Sequence, residues 1–151
     1  MIYYDYKRFC TDVQHLSEQC KPFEADTILA VARGGMSLAH ALSMALDVRN
    51  LHTIRVESYD GDSQRDEVSI LSQCDLTGSR QVLVVDDIVD SGRTLFALLP
   101  MLRLQNPTCE FKVATLFTKP TALMQPDFSL HEATDWIDFF WERDFLKKGS
   151  L

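Results

Sequence analysis

Val82-Leu83-Val84-Val85-Asp86-Asp87-Ile88-Val89-Asp90-Ser91-Gly92-Arg93-Thr94-Leu95 is the stretch that decides how this chain folds. Four apolar β-formers in a row suit a parallel strand buried on both faces, and two carboxylates follow them. A turn of small and hydroxylated residues comes next. Leu95, Leu98, Leu99 and Leu102 then recur at helical spacing. At the join, residues 91–94 offer unpaired N–H groups and the positive end of a helix dipole, which is an anion site. Carboxylates at the lip of a phosphate cradle suit a phosphorylated sugar, because they accept from ribose hydroxyls and hold Mg2+ through its waters. The same residues also fit an ordinary core strand and helix joined by a polar turn.

Outward from this stretch the chain alternates strands and helices. Phe9, Val13, Leu16 and Cys20 share a face, which predicts a helix over about 4–18 that Lys21-Pro22 ends. Thr27-Ile28-Leu29-Ala30-Val31-Ala32 reads as the first strand of the sheet. It turns at Arg33-Gly34-Gly35 into a helix with Leu38, Leu42, Ala45 and Leu46 on its buried side. A strand over about 51–57 follows, then a polar loop over 58–66 that reads as a lid. The signature strand and helix and a strand over 112–117 complete the series. This order predicts an α/β fold with a doubly wound, mostly parallel central sheet flanked by helices, its ligand lying beyond the carboxyl ends of the strands. Pro100 fits poorly. Inside a helix a proline costs about 3 kcal/mol, which predicts a kink or an early end near Leu99.

A chain of 151 residues suits a single domain over 1–151, a size that buries roughly 68–70% of the unfolded surface. The net charge of -7 argues against a nucleic-acid backbone as the main partner, since such binding needs clustered Lys and Arg. Cys10, Cys20, Cys74 and Cys109 show neither CxxC spacing nor secretory context, and they read as reduced core thiols in a cytoplasmic protein. The start Met-Ile-Tyr-Tyr-Asp-Tyr-Lys-Arg lacks an apolar signal region, and no apolar run is long enough to span a bilayer. Neither nucleic acid nor membrane is an expected partner. His15, His40, His52 and His131 lack metal-ligand spacing, so no protein-bound zinc is expected.

The signature run resembles the phosphoribosyl-pyrophosphate motif of type I phosphoribosyltransferases, in the 6-oxopurine form that carries an acid at Asp90. The resemblance covers about 26–142 and is closest to the bacterial xanthine-guanine (hypoxanthine) enzymes. It implies transfer of a 5-phosphoribosyl group from phosphoribosyl pyrophosphate to N9 of guanine, xanthine or hypoxanthine, with Mg2+ as cofactor. It also implies a small C-terminal hood from about 120–151 and a homodimer or homotetramer. The 5-phosphate loop would be Asp90, Ser91, Gly92, Arg93 and Thr94. Asp86 and Asp87 would hold the ribose and metal waters, with Asp87 a metal ligand beside substrate oxygens and water. Asp90 would also face purine N7 as the catalytic acid/base.

Arg33-Gly34 resembles the pyrophosphate loop, and Arg65, after Ser58-Tyr59-Asp60, resembles the flexible-loop arginine that contacts pyrophosphate. Lys119 would donate to the purine 6-oxo group. Lysine is a donor only, so such a site rejects an exocyclic amine. Trp136-Ile137 would sandwich the base, and Phe139, Phe140, Trp141 and Phe145 would build the hood or a subunit interface. Two departures stand out: Arg93 replaces a common glycine, and Phe140-Trp141 stands where many relatives have Pro-Trp.

Two rivals bear on this reading. A response-regulator receiver also uses Asp-Asp and Lys-Pro, but it carries the acid pair on its first strand. The little more than thirty residues between Asp87 and Lys119 leave no room for a phospho-acceptor strand. A regulatory protein that senses phosphoribosyl pyrophosphate is the alternative function. The acidic balance and the retained Asp90, Lys119 and Trp136 favour the enzyme.

Overall fold

The computed structural model describes residues 1–59 and 67–147. Its elements are β1 (Ile2–Tyr4), α1 (Tyr6–Cys20), β2 (Thr27–Ala32), α2 (Met36–Ala45), β3 (Leu51–Tyr59), β4 (Glu67–Ile70), β5 (Gln81–Val85), β6 (Ile88–Val89), α3 (Arg93–Gln105), β7 (Glu110–Thr118), β8 (Phe128–Glu132), β9 (Ile137–Phe139) and α4 (Phe140–Arg143). The central sheet runs β4-β3-β2-β5-β7, with β6 and β8 also on β7. Every pairing in it is parallel except β3 with β4. A second, two-stranded sheet pairs β1 with β9 in parallel.

Strand β5 shows why the sheet is doubly wound. Leu83 and Val85 sit in one core cluster with Leu16 of α1 and Leu38 and Leu42 of α2. Val82 and Val84 sit in another with Leu95, Leu98 and Leu102 of α3. Alternate side chains of one strand therefore fill two cores, as an all-apolar run requires.

Several boundaries differ from expectation. Tyr4 belongs to β1, and α1 starts only after Asp5, whose carboxylate accepts from Arg8 N at 2.7 Å and caps the helix. Ala45, expected inward, is exposed at the end of α2. Of the four cysteines expected in the core, Cys20 is buried, whereas Cys10, Cys74 and Cys109 are only half-buried at its margins. Strand β3 continues through Tyr59 and β4 pairs back on it, so part of the expected lid segment is strand. Residues 60–66 lie outside the described part. Strand β8, within the span expected for the hood, joins the central sheet instead. Phe139 and Trp141 are buried and stacked at 4.6 Å, so they build core and not an open hood or interface surface.

Helix α3 does not end near Leu99. It runs through Pro100 to Gln105. Pro100 and Phe96 are both exposed, so the carbonyl that loses its partner to the proline ring lies on the solvent side, where water can serve it. Pro100→Ala is accordingly expected to stabilise the protein by about 1–3 kcal/mol, from the restored helical N–H and the better propensity. Urea melts check this, and an unchanged or lower midpoint would mean that the proline fits this helix without cost.

Candidate active site

The acid pair interrupts a strand without ending it. Val85 pairs with Ala114 and Ile88 with Phe117, so β6 continues β5 along β7 in unchanged register. Between them Asp86 N donates to Ala114 O at 3.2 Å, and Asp87 O accepts from Leu116 N at 3.1 Å. Asp87 N donates to Asp86 Oδ1 at 2.9 Å, and Ile88 N to Asp87 Oδ1 at 2.7 Å. The turn after β2 presses directly on this segment. A Cβ at Gly35 would stand 2.3 Å from Val85 O, and one at Gly34 would stand 2.8 Å from Asp87 Oδ2. Only glycines allow that approach.

Burial pushes the Asp86 carboxyl well above the usual carboxylate range, and the Asp87 charge beside it adds to the shift. Burial pushes Asp87 up as well. The folded protein thus keeps protons that the unfolded chain has released, so stability falls as pH rises above the ordinary carboxylate range. Melts in chelator at about pH 5 and about pH 8 should give the lower midpoint at the higher pH, with a divalent cation narrowing the gap. Equal midpoints would mean that the pair titrates as ordinary surface acids.

Among the described residues no group of three or more His, Cys, Asp or Glu side chains is arranged around a metal. Two adjacent carboxylates still suit a cation that completes its shell with water and substrate oxygens, which is how Mg2+ usually binds.

Just past the acids, a cavity of about 110 Å³ is lined by Asp86, Asp90, Ser91, Gly92 and Thr94, among others. Gly92 has φ +83°, and a Cβ there would meet Met124 N at 2.6 Å. Leu123 N donates to Ser91 O at 2.7 Å, which holds the turn from outside. Gly92, at the N-cap of α3, has no side chain to cap it. Arg93 N donates to Ser91 Oγ at 3.3 Å, and a helix start of this kind still turns its first-turn amides and the positive end of its dipole toward an anion. Arg93 opens α3 with an exposed side chain.

A second cavity, of about 120 Å³, shares Ile88 and Asp90 with the first and adds Asp87, Lys119, Asp135, Trp136, Ile137, Phe139 and Glu142. Lys119 Nζ lies 2.6 Å from Asp90 Oδ1. Their side chains are 43% and 60% exposed, so this pair contributes little to stability and separates cheaply. Trp136 is exposed and Ile137 buried, which gives an open aromatic face on a fixed wall.

A third cavity, of about 440 Å³, is lined by Arg33, Gly34, Ser37, Trp141, Glu142, Phe145 and Leu146. The structure thus gathers Arg33, Gly34, Asp86, Asp87, Asp90, Ser91, Gly92, Thr94, Lys119, Trp136 and Ile137 along one edge of the sheet, lining three adjoining cavities. Arg65 lies outside the described residues. Glu142 was missed. It borders both the second and third cavities. Burial raises its carboxyl above the usual range, Asp87 and Asp138 add to this, and Arg33 opposes it. Its place in the sequence, at the head of the charged triplet Glu142-Arg143-Asp144 just after three aromatics, gave no sign of a cavity position.

The family model for the phosphoribosyl transferase domain matches residues 2–146. Xanthine-guanine phosphoribosyltransferase from Idiomarina loihiensis is 36% identical over 118 residues, covering 76% of this chain and 70% of that protein. The enzyme of the same name from Cereibacter sphaeroides is 34% identical over 119 residues, covering 76% and 68%. Among solved structures, the xanthine-guanine-hypoxanthine phosphoribosyltransferase of Helicobacter pylori superposes with TM-score 0.85 at 36% identity, covering 95% of this chain and 94% of that one. A purine phosphoribosyltransferase from Pyrococcus horikoshii gives TM-score 0.80 at 31% identity, covering 93% and 92%. A match that spans nearly the whole length, on a fold shared so closely, makes this chain a member of the phosphoribosyltransferase family.

Proposed function

We propose that the protein is a purine-salvage enzyme that transfers the 5-phosphoribosyl group from phosphoribosyl pyrophosphate to N9 of guanine, xanthine or hypoxanthine. The observation that carries this is the row of adjoining cavities at the sheet edge. A phosphate-sized one is bounded by amides, one is walled by Trp136 and Lys119, and one holds Arg33 and Gly34. The paired acids Asp86 and Asp87 stand where these cavities meet. Relatives that carry these bases in their own names support the same substrate class. The regulatory alternative finds no support among the relatives named above.

In the reaction, N9 attacks the anomeric carbon as its bond to the pyrophosphate oxygen breaks, and the base loses one proton. Amides of residues 91–94, with the Ser91 and Thr94 hydroxyls, hold the 5-phosphate. Asp86 and Asp87 accept from the ribose diol. Arg33 and the amides at Gly34, with Arg65, stabilise the negative charge that grows on pyrophosphate. Asp87 would hold Mg2+, which when bound would further neutralise that leaving group. Trp136 stacks on the purine and Ile137 backs it. Lys119 leaves Asp90 for the 6-oxo group, which frees the Asp90 carboxylate to take or give a proton at N7. The free cysteines support a reducing, cytoplasmic setting.

An assay with phosphoribosyl pyrophosphate, Mg2+ and each of guanine, xanthine, hypoxanthine and adenine tests the reading. Consumption of 6-oxopurines with release of pyrophosphate is expected, and adenine should be refused. No turnover of any 6-oxopurine would remove the proposal. Lys119→Ala should lower kcat/KM for guanine by about 10–100-fold, the effect of one charge-assisted hydrogen bond to the base. Unchanged guanine efficiency would make Lys119 a bystander.

A further inference from the structure

The wall that carries Trp136 hangs on a short strand at the far end of the chain. In its two-stranded sheet, β9 pairs with β1, with Ile2 opposite Ile137 and Tyr4 opposite Phe139. Ile2 N also donates to Trp136 O at 2.8 Å. Two strands of three residues each form a sheet too small to hold its own place. Its position has to come from side chains.

Tyr4 supplies that anchor. Its ring is fully buried and meets Phe139 edge-on at 5.6 Å, on the strand that lines the second cavity. The same ring meets Phe117 edge-on at 5.4 Å, on the strand that leads into Lys119. One side chain therefore packs on a wall residue of the cavity assigned to the base and on the strand that carries Lys119 to its other side. Its orientation is fixed from behind. Tyr4 Oη donates to Asp12 Oδ2 at 2.6 Å, and His131 Nε2 lies 2.8 Å from that same oxygen. Asp12 belongs to α1 and His131 to β8, so the phenol is tied to both a helix and the central sheet. The Arg8 guanidinium closes the group, 5.2 Å over the Tyr4 ring and 5.6 Å over Phe117. A ring that only filled space would have no need of a hydroxyl, which is costly to bury unless partnered.

We infer that Tyr4, held by Asp12 and His131, is a positioning residue that sets the gap between Lys119 and the Trp136–Ile137 wall, and so tunes affinity for the purine without touching it. This rests on the base-cavity reading above. Steady-state kinetics with guanine and phosphoribosyl pyrophosphate test it in Tyr4→Phe, Ile2→Pro and, as a reference, Trp136→Ala. Tyr4→Phe keeps the packing and removes only the hydroxyl. It should raise KM for guanine about fivefold while KM for phosphoribosyl pyrophosphate stays within about twofold. Ile2→Pro removes the N–H that holds Trp136 O, at a strand start where proline is tolerated, and should shift the guanine constant the same way.

An unchanged guanine KM in Tyr4→Phe overturns the inference. So does an equal rise in both constants, which is the mark of a merely structural tyrosine. Should Tyr4→Phe not fold, the same two outcomes in Ile2→Pro decide. If Trp136→Ala also leaves the guanine constant alone, the base-cavity assignment is what fails. If Trp136→Ala raises that constant and the other two variants do not, the positioning role fails by itself.

Discussion

Asp90→Asn is expected to lower turnover at least about tenfold, within the range typical for losing a general acid or base. Asparagine keeps the shape and a hydrogen-bonding oxygen but cannot carry the proton. The substitution also removes the partner of Lys119, yet that ion pair is largely exposed, so its loss costs about 1 kcal/mol or less. Folding should therefore be unaffected, and a fall in kcat can be read as chemistry. Binding of phosphoribosyl pyrophosphate should change little, because the anion site rests on backbone amides that the substitution leaves in place. Steady-state kinetics with calorimetry of donor binding check both halves. Near-normal turnover would remove Asp90 from proton transfer, and a large loss of donor affinity would reassign it to the phosphate.

Gly35→Ala should do more damage than any surface charge. The added methyl would stand 2.3 Å from Val85 O, 2.9 Å from the Asp86 Cα and 3.0 Å from Val31 O, and all three are main-chain atoms. No side chain can swing aside to make room. Overpacking of this kind costs about 1–3 kcal/mol, occasionally more, and here the upper end is expected. For a domain of this size a loss of about 3 kcal/mol lowers the midpoint by roughly 6–12 °C. The displaced atoms carry Asp86, so activity should fall by about an order of magnitude or more even below the melting range. A variant with wild-type midpoint and turnover would show that the two turns are not in contact in solution.

Much of this architecture was legible in the sequence, for identifiable reasons. Val82 to Val85 read as a doubly covered strand because no polar residue interrupts the run, and β5 does fill two cores. Leu95, Leu98 and Leu102 kept helical spacing and are buried in α3. The glycine turns announced where backbones approach.

What escaped detection depended on distant partners. Ile2 to Tyr4 became a strand only because Ile137 to Phe139 lies beside it, a pairing that no local pattern encodes. The survival of α3 past Pro100 turned on which way the Phe96 carbonyl faced. The contact between Lys119 and Asp90 joins ends of two different strands, and spacing along the chain is silent about that. Glu142 gained its place from the aromatic packing around it.

The unbroken ladder from β5 into β6 carries one last implication. Asp86 and Asp87 sit on the same hydrogen-bonded rail as Asp90, and Lys119 ends the neighbouring rail in matched step. The spacing between sugar-holding and base-holding groups is therefore set by main-chain geometry, which substitutions rarely alter. Divergence in which heterocycle is accepted would instead enter through the β9 panel, whose main chain pairs with β1 and whose brace on the central sheet is made of side chains such as Tyr4, which substitutions do alter.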